Sequence, residues 1–264
     1  MISSIEITKP DMAFLQSVKY YVNDVFLTML PDQVDYISQY VSMVRRGGMN
    51  PIPHISVRNM RSIGHIQSTL SKCETFDMLL IGGDRDKGIG EVHSVMEVIE
   101  SGALEFMSQR KVGIAGFPDG FEHSSDQLML DKIEALKSRG IIPYIVTQFC
   151  FDSETIENWV HQVRQHTDCE IKIGIAGPMN ILSLINLAMK CGVGNSIRAL
   201  KRQQSLLTNS YKSYRPERLL QQLQRVDNIP NTSFHLFAVG GRDKTSKWIL
   251  EQTSYNIDKE RGKI

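Results

Sequence analysis

Side chains capable of chemistry stand at the ends of several short apolar runs of the chain. Glu6, Thr28, His54, Asp84 and Gln148 each close such a run. Carboxylate and imidazole groups transfer protons, and an amide pairs with both donors and acceptors of a ligand. Each residue alone is a weak signal, since a single histidine such as His54 is more often structural than ligating. Their repeated position makes them candidates for one common site.

The elements that would position these residues alternate regularly. Helical patterns over 33–46, 61–72, 126–139, 153–166 and 180–190 lie between β-rich runs, and Gly47, Gly140 and Gly192 are expected as C′ residues. This alternation predicts an α/β fold with a parallel sheet. The predicted strands are 3–7, 25–29, 52–57, 76–81, 112–115, 144–148, 171–175 and 234–239.

Eight strand–helix units predict a closed (β/α)₈ (TIM) barrel, in which active sites lie at the carboxyl ends of the strands. An open doubly wound sheet is the alternative, but it needs a glycine-rich turn after its first strand, and the segment ITKPDM has no glycine. The length of 264 residues suits one barrel, so we predict a single domain over 1–264. Turns at 116–119 and 174–178 also follow strands and join the candidate site.

Composition excludes several classes of partner and site. Thirty Lys and Arg residues balance 29 Asp and Glu residues to a formal charge of +1, which argues against a nucleic-acid or anionic-membrane partner. The four cysteines form no C-x-x-C pair, so no metal site is predicted, and reduced thiols indicate the cytoplasm. No signal peptide or spanning segment is recognisable.

The segment 194–228 interrupts the alternation before the last strand. It is basic, rich in Gln and Leu and helical in pattern, which predicts extra helices. It is either a solvated helical cap or a surface that meets the acidic tail of a ligand. Its positive charges are Arg198, Lys201, Arg202, Lys212, Arg215 and Arg218.

Four strand motifs resemble those of the methylenetetrahydrofolate reductase family. They are IPHIS around His54, LIGGD ending at Asp84, VGIAGFPDG from Val112 and YIVTQFCFD from Tyr144, in the family's order and spacing. The segment SSIEI is similar to the family's first strand and places Glu6 at its catalytic glutamate. The resemblance runs from Ser3 to about Asn180, resumes at FHLFAVGG, and is closest to a compact, divergent branch.

The resemblance implies reduction of 5,10-methylenetetrahydrofolate to 5-methyltetrahydrofolate by NADH or NADPH through bound FAD, or the reverse reaction in one-carbon catabolism. Glu6 would protonate N10 as general acid, a role for which we expect burial to raise the pKa of its carboxyl group. Gln148 would bind the pterin. Asp84 would lie between flavin and pterin and tune the flavin.

The resemblance also implies a flavin site. The matching residues are Thr28, His54, Ile81, Gly82, Gly83, Asp84, Phe117, His123 and Lys132. Glycines allow close backbone approach, but Gly82 and Gly83 could instead only end a strand, Phe117 could cap the core, and Lys132 could be a solvated helix residue.

The chain departs from the family at the flavin site. Phe121 stands where the family has a histidine, with His123 two residues later, and Gly82 replaces an arginine. Each lost charge-assisted hydrogen bond is worth about 1.5 to 3 kcal/mol, so FAD is expected to bind weakly. A flavin-free, tetrahydrofolate-dependent methyltransferase or demethylase is therefore an alternative, as is a non-catalytic folate-binding protein. A homo-oligomer is possible on the sequence alone.

Overall fold

The computed structural model describes residues 2–30, 34–73, 75, 77–83, 89–122, 124–190, 213–238 and 241–260. Ten strands occur in these ranges. They are β1 (Ile2–Ile7), β2 (Asp24–Thr28), β3 (Asn50–Ser56), β4 (Asp77–Ile81), β5 (Lys111–Gly116), β6 (Ile142–Thr147), β7 (Glu170–Ala176), β8 (Met179–Asn180), β9 (Ser213–Tyr214) and β10 (Thr232–Phe237).

Eight of these strands close a barrel in the order β1-β10-β7-β6-β5-β4-β3-β2, and all neighbouring pairs are parallel. The predicted (β/α)₈ barrel is confirmed, and each predicted strand is present with its described ends within two residues of the expected ones. The short strands β8 and β9 form a separate antiparallel pair.

Helices follow most strands and surround the barrel. They are α1 (Met12–Val18), α2 (Ile37–Arg46), α3 (Ile63–Cys73), α4 (Val95–Glu100), α5 (Asp126–Lys137), α6 (Ser153–Arg164), α7 (Ile181–Lys190), α8 (Glu217–Gln222), α9 (Gln224–Asp227) and α10 (Arg242–Glu260). Short 3₁₀ helices cover Val34–Tyr36, Val57–Asn59 and Glu105–Met107. Asp11, Ser94, Ser125 and Asp152 cap α1, α4, α5 and α6 by accepting from a backbone N–H of the first turn.

The extra helices expected before the last strand are present as α8 and α9, between β7 and β10. The remainder of the predicted segment, 194–212, lies outside the described residues, as does Gly192. The position expected for Gly47 was wrong by one residue. Gly48 has the positive φ of 80° and donates to Arg45 O, which makes it the C′ residue of α2. Gly140, with φ of 68°, plays that role after α5 as predicted.

The main core lies between the barrel and its helices, where outward-facing residues of the strands meet the apolar faces of the helices. Gly116 at the end of β5 illustrates how closely they pack. A Cβ at this position would lie 2.7 Å from the Trp159 ring of α6, so a residue without a side chain is needed. The helix can thereby approach the carboxyl end of the strand.

Apolar side chains close the middle of the barrel interior. Five buried apolar side chains occupy its middle: Phe26, Ile52, Leu79, Tyr144 and Val146. Tyr144 Oη donates to Met78 O across the interior at 2.9 Å, and its ring takes the space that a Cβ on Gly113 would need. Ligands therefore have access to the inside of the barrel only from an end.

The amino end of the barrel is filled by charged groups from the first residues of the strands. Lys172 Nζ binds Asp24 Oδ2 at 3.1 Å and Glu170 Oε1 at 2.9 Å. Asn50 donates to both Asp24 and Asp77. Because Asp24 and Lys172 belong to strands that are not neighbours, their ion pair crosses the interior. This end is consequently occupied by the protein's own ion pairs.

Candidate active site

A buried carboxylate with three hydrogen-bond donors lies near the carboxyl end of the barrel. Thr28 Oγ1 donates to Glu6 Oε1 at 2.6 Å. On the other carboxylate oxygen, His54 Nδ1 lies 3.2 Å and His235 Nε2 3.3 Å from Oε2. Glu6 itself is only 4% exposed. The structure thus brings together three predicted site residues, Glu6, Thr28 and His54, and adds His235.

Four strands that adjoin one another in the barrel position this cluster. Glu6 belongs to β1, and its neighbours β2 and β10 supply Thr28 and His235, while His54 comes from β3, which adjoins β2. Side chains alternate between the two faces of each strand. These four therefore face the interior, whereas their chain neighbours pack against the helices.

The imidazole of His235 is held on all sides. It is fully buried, and Phe26 and Phe237 contact it edge to face with ring centroids at 4.6 and 4.9 Å. Its Nδ1 lies 2.9 Å from the hydroxyl of Ser4, which is also fully buried. The ring has one orientation, with each nitrogen directed at a polar partner.

The protonation state of Glu6 differs from our expectation. Burial raises the pKa of this carboxyl group, but the charges and hydrogen bonds of His54 and His235 together lower it by more, to well below its ordinary value of 4.5. The expected raised pKa was therefore wrong. Burial also lowers the pKa of His235, only partly countered by Glu6. At neutral pH the cluster contains an ionised Glu6 beside a neutral His235.

One nitrogen in the cluster, Nε2 of His54, has no hydrogen-bond partner within the described ranges. A carboxylate only accepts, so Nδ1 of His54 carries the hydrogen directed at Glu6, and Nε2 is the second polar atom of this ring. Nε2 is buried and makes no hydrogen bond to any residue that the structure describes. An unpaired buried polar atom costs about 1 to 3 kcal/mol, which a ligand that forms a hydrogen bond with it would recover.

Gln148 lies directly after β6, at the same end of the barrel. Its side-chain Oε1 accepts from the backbone N–H of Phe149 at 3.0 Å, and the backbone N–H of Gln148 donates to Gly116 O. The side chain is partly exposed. Gln148 thus lies at the barrel mouth with its amide oxygen partly occupied.

The end of β4 contains further predicted site residues. Ile81 closes the strand and is partly exposed, and Gly82 and Gly83 follow it. Gly83 has φ of 96°, and a Cβ there would lie 2.0 Å from Ser56 Oγ, so this glycine is needed for packing. A Cβ at Gly82 would stand 3.8 Å from the guanidinium carbon of Arg58. Asp84, next in the chain, lies outside the described residues.

Phe117 lines a cavity of about 420 Å³ beside α5 and α6, which we call the outer cavity. Its ring stacks on Phe121 with centroids 4.8 Å apart, and Thr155, Asn158 and Gln162 of α6 line the opposite wall. Glu6, Thr28, His54 and Gln148 do not line this cavity. Phe117 is thereby separated from the residues with which we expected it to share a site.

The last two predicted flavin residues belong to the α5 region. Lys132 is half-buried on α5, and burial lowers the pKa of its ammonium group. It has no ion-pair partner among the described residues, and it does not line the outer cavity. His123 lies outside the described residues.

One side of the barrel mouth is closed by the protein itself. Phe149 and Phe151 after β6, Phe237 at the end of β10 and Tyr214 of β9 form an apolar cluster with α7. Phe237 also contacts His235. This apolar cluster thus covers the barrel mouth beside the ends of β6, β7 and β10.

Sequence reasoning missed His235 and Ser4. The signal was present, since both are polar residues within apolar strands, and alternation places them opposite the core-facing Phe234 and Ile5. Nothing in the sequence, however, indicated that they bond to each other. Within the described ranges, no group of three or more His, Cys, Asp or Glu residues could hold a metal ion.

No family model matches the chain. Among solved structures, N-acetylneuraminic acid (sialic acid) synthetase from Leptospira borgpetersenii serovar Hardjo-bovis, in complex with citrate, has a TM-score of 0.54 at 6% identity, covering 96% of this chain and 83% of that one. A protein from Burkholderia cenocepacia J2315, provisionally described as a lyase/mutase, has a TM-score of 0.52 at 10% identity, covering 98% and 83%. At such low identity these similarities show the barrel fold alone. No helix among the described residues is long and apolar enough to cross a membrane.

Proposed function

We propose that the chain is an enzyme that interconverts 5,10-methylenetetrahydrofolate and 5-methyltetrahydrofolate, with FAD as hydride carrier and NADH or NADPH as co-substrate. The motifs that resemble the methylenetetrahydrofolate reductases are the source of this substrate assignment. The observation that carries the proposal is the meeting of Glu6, Thr28 and His54 within hydrogen-bond distance at the carboxyl end of the barrel. A proton-transferring carboxylate is the group that this reaction needs.

The residues present fit a flavin. His54 Nε2 is buried and has no hydrogen-bond partner in the described part of the chain, as expected of a group that meets a ligand. Arg58 brings a guanidinium group beside the backbone of Gly82 and Gly83, where an anionic diphosphate would benefit from charge-assisted hydrogen bonds. Lys132, half-buried on α5, is the second cation that the resemblance implies. When bound, FAD supplies hydride transfer between the nicotinamide and the folate.

Glu6 would transfer the proton at N10 of the folate. In the oxidative direction, the carboxylate takes this proton as the bond between N10 and the one-carbon unit forms. In the reductive direction, protonated Glu6 returns it to N10 as that bond breaks. Because the pKa of Glu6 is lowered, the free site is ready for the oxidative direction and must first take up a proton for the reductive one.

A flavin-free, tetrahydrofolate-dependent methyltransferase or demethylase is the second candidate. The stacking of Phe117 on Phe121 favours it. The resemblance implies that Phe117 contacts FAD, but one face of its ring is covered by Phe121. A non-catalytic folate-binding protein is disfavoured, because binding alone does not require a carboxylate positioned for proton transfer, such as Glu6.

Anaerobic stopped-flow measurements on protein supplied with FAD test the proposal. NADH or NADPH should bleach the flavin, 5,10-methylenetetrahydrofolate should restore its colour, and mass spectrometry should find 5-methyltetrahydrofolate. Glu6→Gln keeps an amide oxygen for the two imidazoles but removes the transferable proton. It should spare bleaching and slow reoxidation by about 10² to 10⁴. Absence of both half-reactions, with methyl transfer in protein free of flavin, would select the second candidate.

A further inference from the structure

Ser4 and His235 form a buried pair that is connected to Glu6 of the candidate site. Ser4 Oγ lies 2.9 Å from His235 Nδ1, and His235 Nε2 lies 3.3 Å from Glu6 Oε2. Both residues are fully buried. The connection thus runs from a hydroxyl group through one imidazole to the carboxylate, without contact with solvent.

The hydrogen positions follow from the partners. An ionised Glu6 can only accept, so the neutral His235 ring must carry its hydrogen on Nε2. Nδ1 is then an acceptor, and the Ser4 hydroxyl is the donor it faces. Removing that hydroxyl would leave Nδ1 buried without a partner, whereas the opposite tautomer would direct two acceptors at each other across 3.3 Å.

The lone pairs of the Glu6 carboxylate can be assigned to hydrogen-bond donors in the same way. A carboxylate has about four lone-pair sites. Oε2 accepts from His54 and His235, and among the residues described in the structure only Thr28 donates to Oε1. One lone pair of Oε1 therefore remains for a substrate, and its direction depends on the groups that hold Oε2.

We propose that Ser4 and His235 are a positioning pair: Glu6 fixes the Nε2–H tautomer of His235, the Ser4 hydroxyl holds the ring by donating to Nδ1, and the ring holds Glu6 with the remaining lone pair of Oε1 directed at the substrate. The reaction served by this arrangement rests on the proposed function, whereas the tautomer does not. The charged or titratable groups that act on His235 are Glu6, His54 and Lys172. Its packing between Phe26 and Phe237 opposes a ring flip that would put the carbons Cδ2 and Cε1 in the places of the two nitrogens.

Nitrogen-15 NMR of the imidazole rings tests the tautomer directly in the wild-type protein, with His235→Gln used only to assign the signal. We expect a protonated Nε2 and an unprotonated Nδ1 throughout the pH range in which exposed histidines titrate. Ser4→Ala should shift the Nδ1 resonance, because this unprotonated nitrogen loses its hydrogen bond, while Nε2 stays protonated by its contact with Glu6. Ser3→Ala is the matched control, because Ser3 also bonds to β10, through Ser233 Oγ, but from the other face of the strand.

The rate of flavin reoxidation by the folate supplies the functional measurement. Ser4→Ala should slow it by about two- to twelvefold, the effect of one ordinary hydrogen bond, and should move the pH at which the rate is half-maximal. Flavin reduction and all rates of Ser3→Ala should be unchanged. A protonated Nδ1 in the wild type, or a Ser4→Ala spectrum identical to the wild type, would overturn the positioning pair even if folate turns over. The expected tautomer in a protein that does not turn over folate would overturn the proposed reaction and leave the pair standing.

Discussion

Replacing Lys172 by Met should destabilise the protein strongly, because this ammonium group neutralises two carboxylates inside the barrel. Its side chain is 6% exposed and lies 3.1 Å from Asp24 and 2.9 Å from Glu170. Removing one partner of a buried ion pair costs about 3 to 5 kcal/mol. Asp24 keeps a hydrogen bond from Asn50, and Glu170 keeps Lys111 at 3.1 Å. We therefore expect Lys172→Met to lower the free energy of unfolding by about 2 to 4 kcal/mol.

Lys111→Met is the matched control. Lys111 binds the same Glu170, but its side chain is 46% exposed, and such pairs contribute about 0 to 1 kcal/mol. The midpoint of urea unfolding at neutral pH, followed by circular dichroism, compares the two variants. Asp24→Asn combined with Lys172→Met should recover part of the loss, because it removes one of the two stranded charges.

The pKa of Glu170 determines how the effect of Lys172→Met changes with pH. Burial raises the pKa of Glu170, but Lys172 and Lys111 lower it by more. The stabilisation from this depressed pKa is present above the ordinary value of 4.5 and is lost as the pH falls through the folded-state value. The destabilisation of Lys172→Met should thus shrink in acid. Equal losses for Lys172→Met and Lys111→Met at neutral pH would refute the idea that burial determines the strength of these ion pairs.

Three further predictions concern the site and its support. Because the lowered pKa of Glu6 leaves it ionised, the reductive rate should rise as the pH falls from 8 to about 5.5, while the oxidative rate stays nearly level; the opposite slopes, measured by stopped flow, would contradict the assignment. Protein purified without added cofactor should contain less than one equivalent of FAD by absorbance, since Phe121 offers no polar group, and a full equivalent after dialysis would show that other residues hold it. Gly113→Ala should cost about 1 to 3 kcal/mol in urea unfolding, because the new Cβ would lie 2.5 Å from the Tyr144 ring, whereas Gly64→Ala in α3, which has ordinary space, should be neutral or slightly stabilising.

Much of the fold could be predicted because it depends on local patterns. Alternating apolar residues revealed every barrel strand, and Gly140 marked the end of α5. Parallel strands with helical crossovers then left few topologies to consider. The one-residue error at Gly47 has the same origin, since two adjacent glycines are equivalent in sequence and only the backbone angles distinguish them.

The candidate site could be predicted only in part. The position of Glu6, Thr28 and His54 at strand ends was enough to place them at one end of the barrel, and the structure brings them into contact. Phe117 also follows a strand, yet it stacks on Phe121 in a separate cavity, because the course of the loop after β5 decides which way that ring faces. Strand-end position therefore selects candidates without showing which of them meet.

By itself, the sequence determined the barrel and the end of it at which Glu6, Thr28 and His54 lie, since both follow from periodicity and strand direction. The tertiary structure alone decided the protonation of that site. Ser4 and His235 are 231 positions apart and Glu6 and His235 are 229 apart, yet barrel closure pairs β1 with β10 and places an imidazole against the carboxylate. Burial alone would have raised the pKa of Glu6, as we expected. Its pKa is lowered instead because electrostatic interactions depend on distances through space.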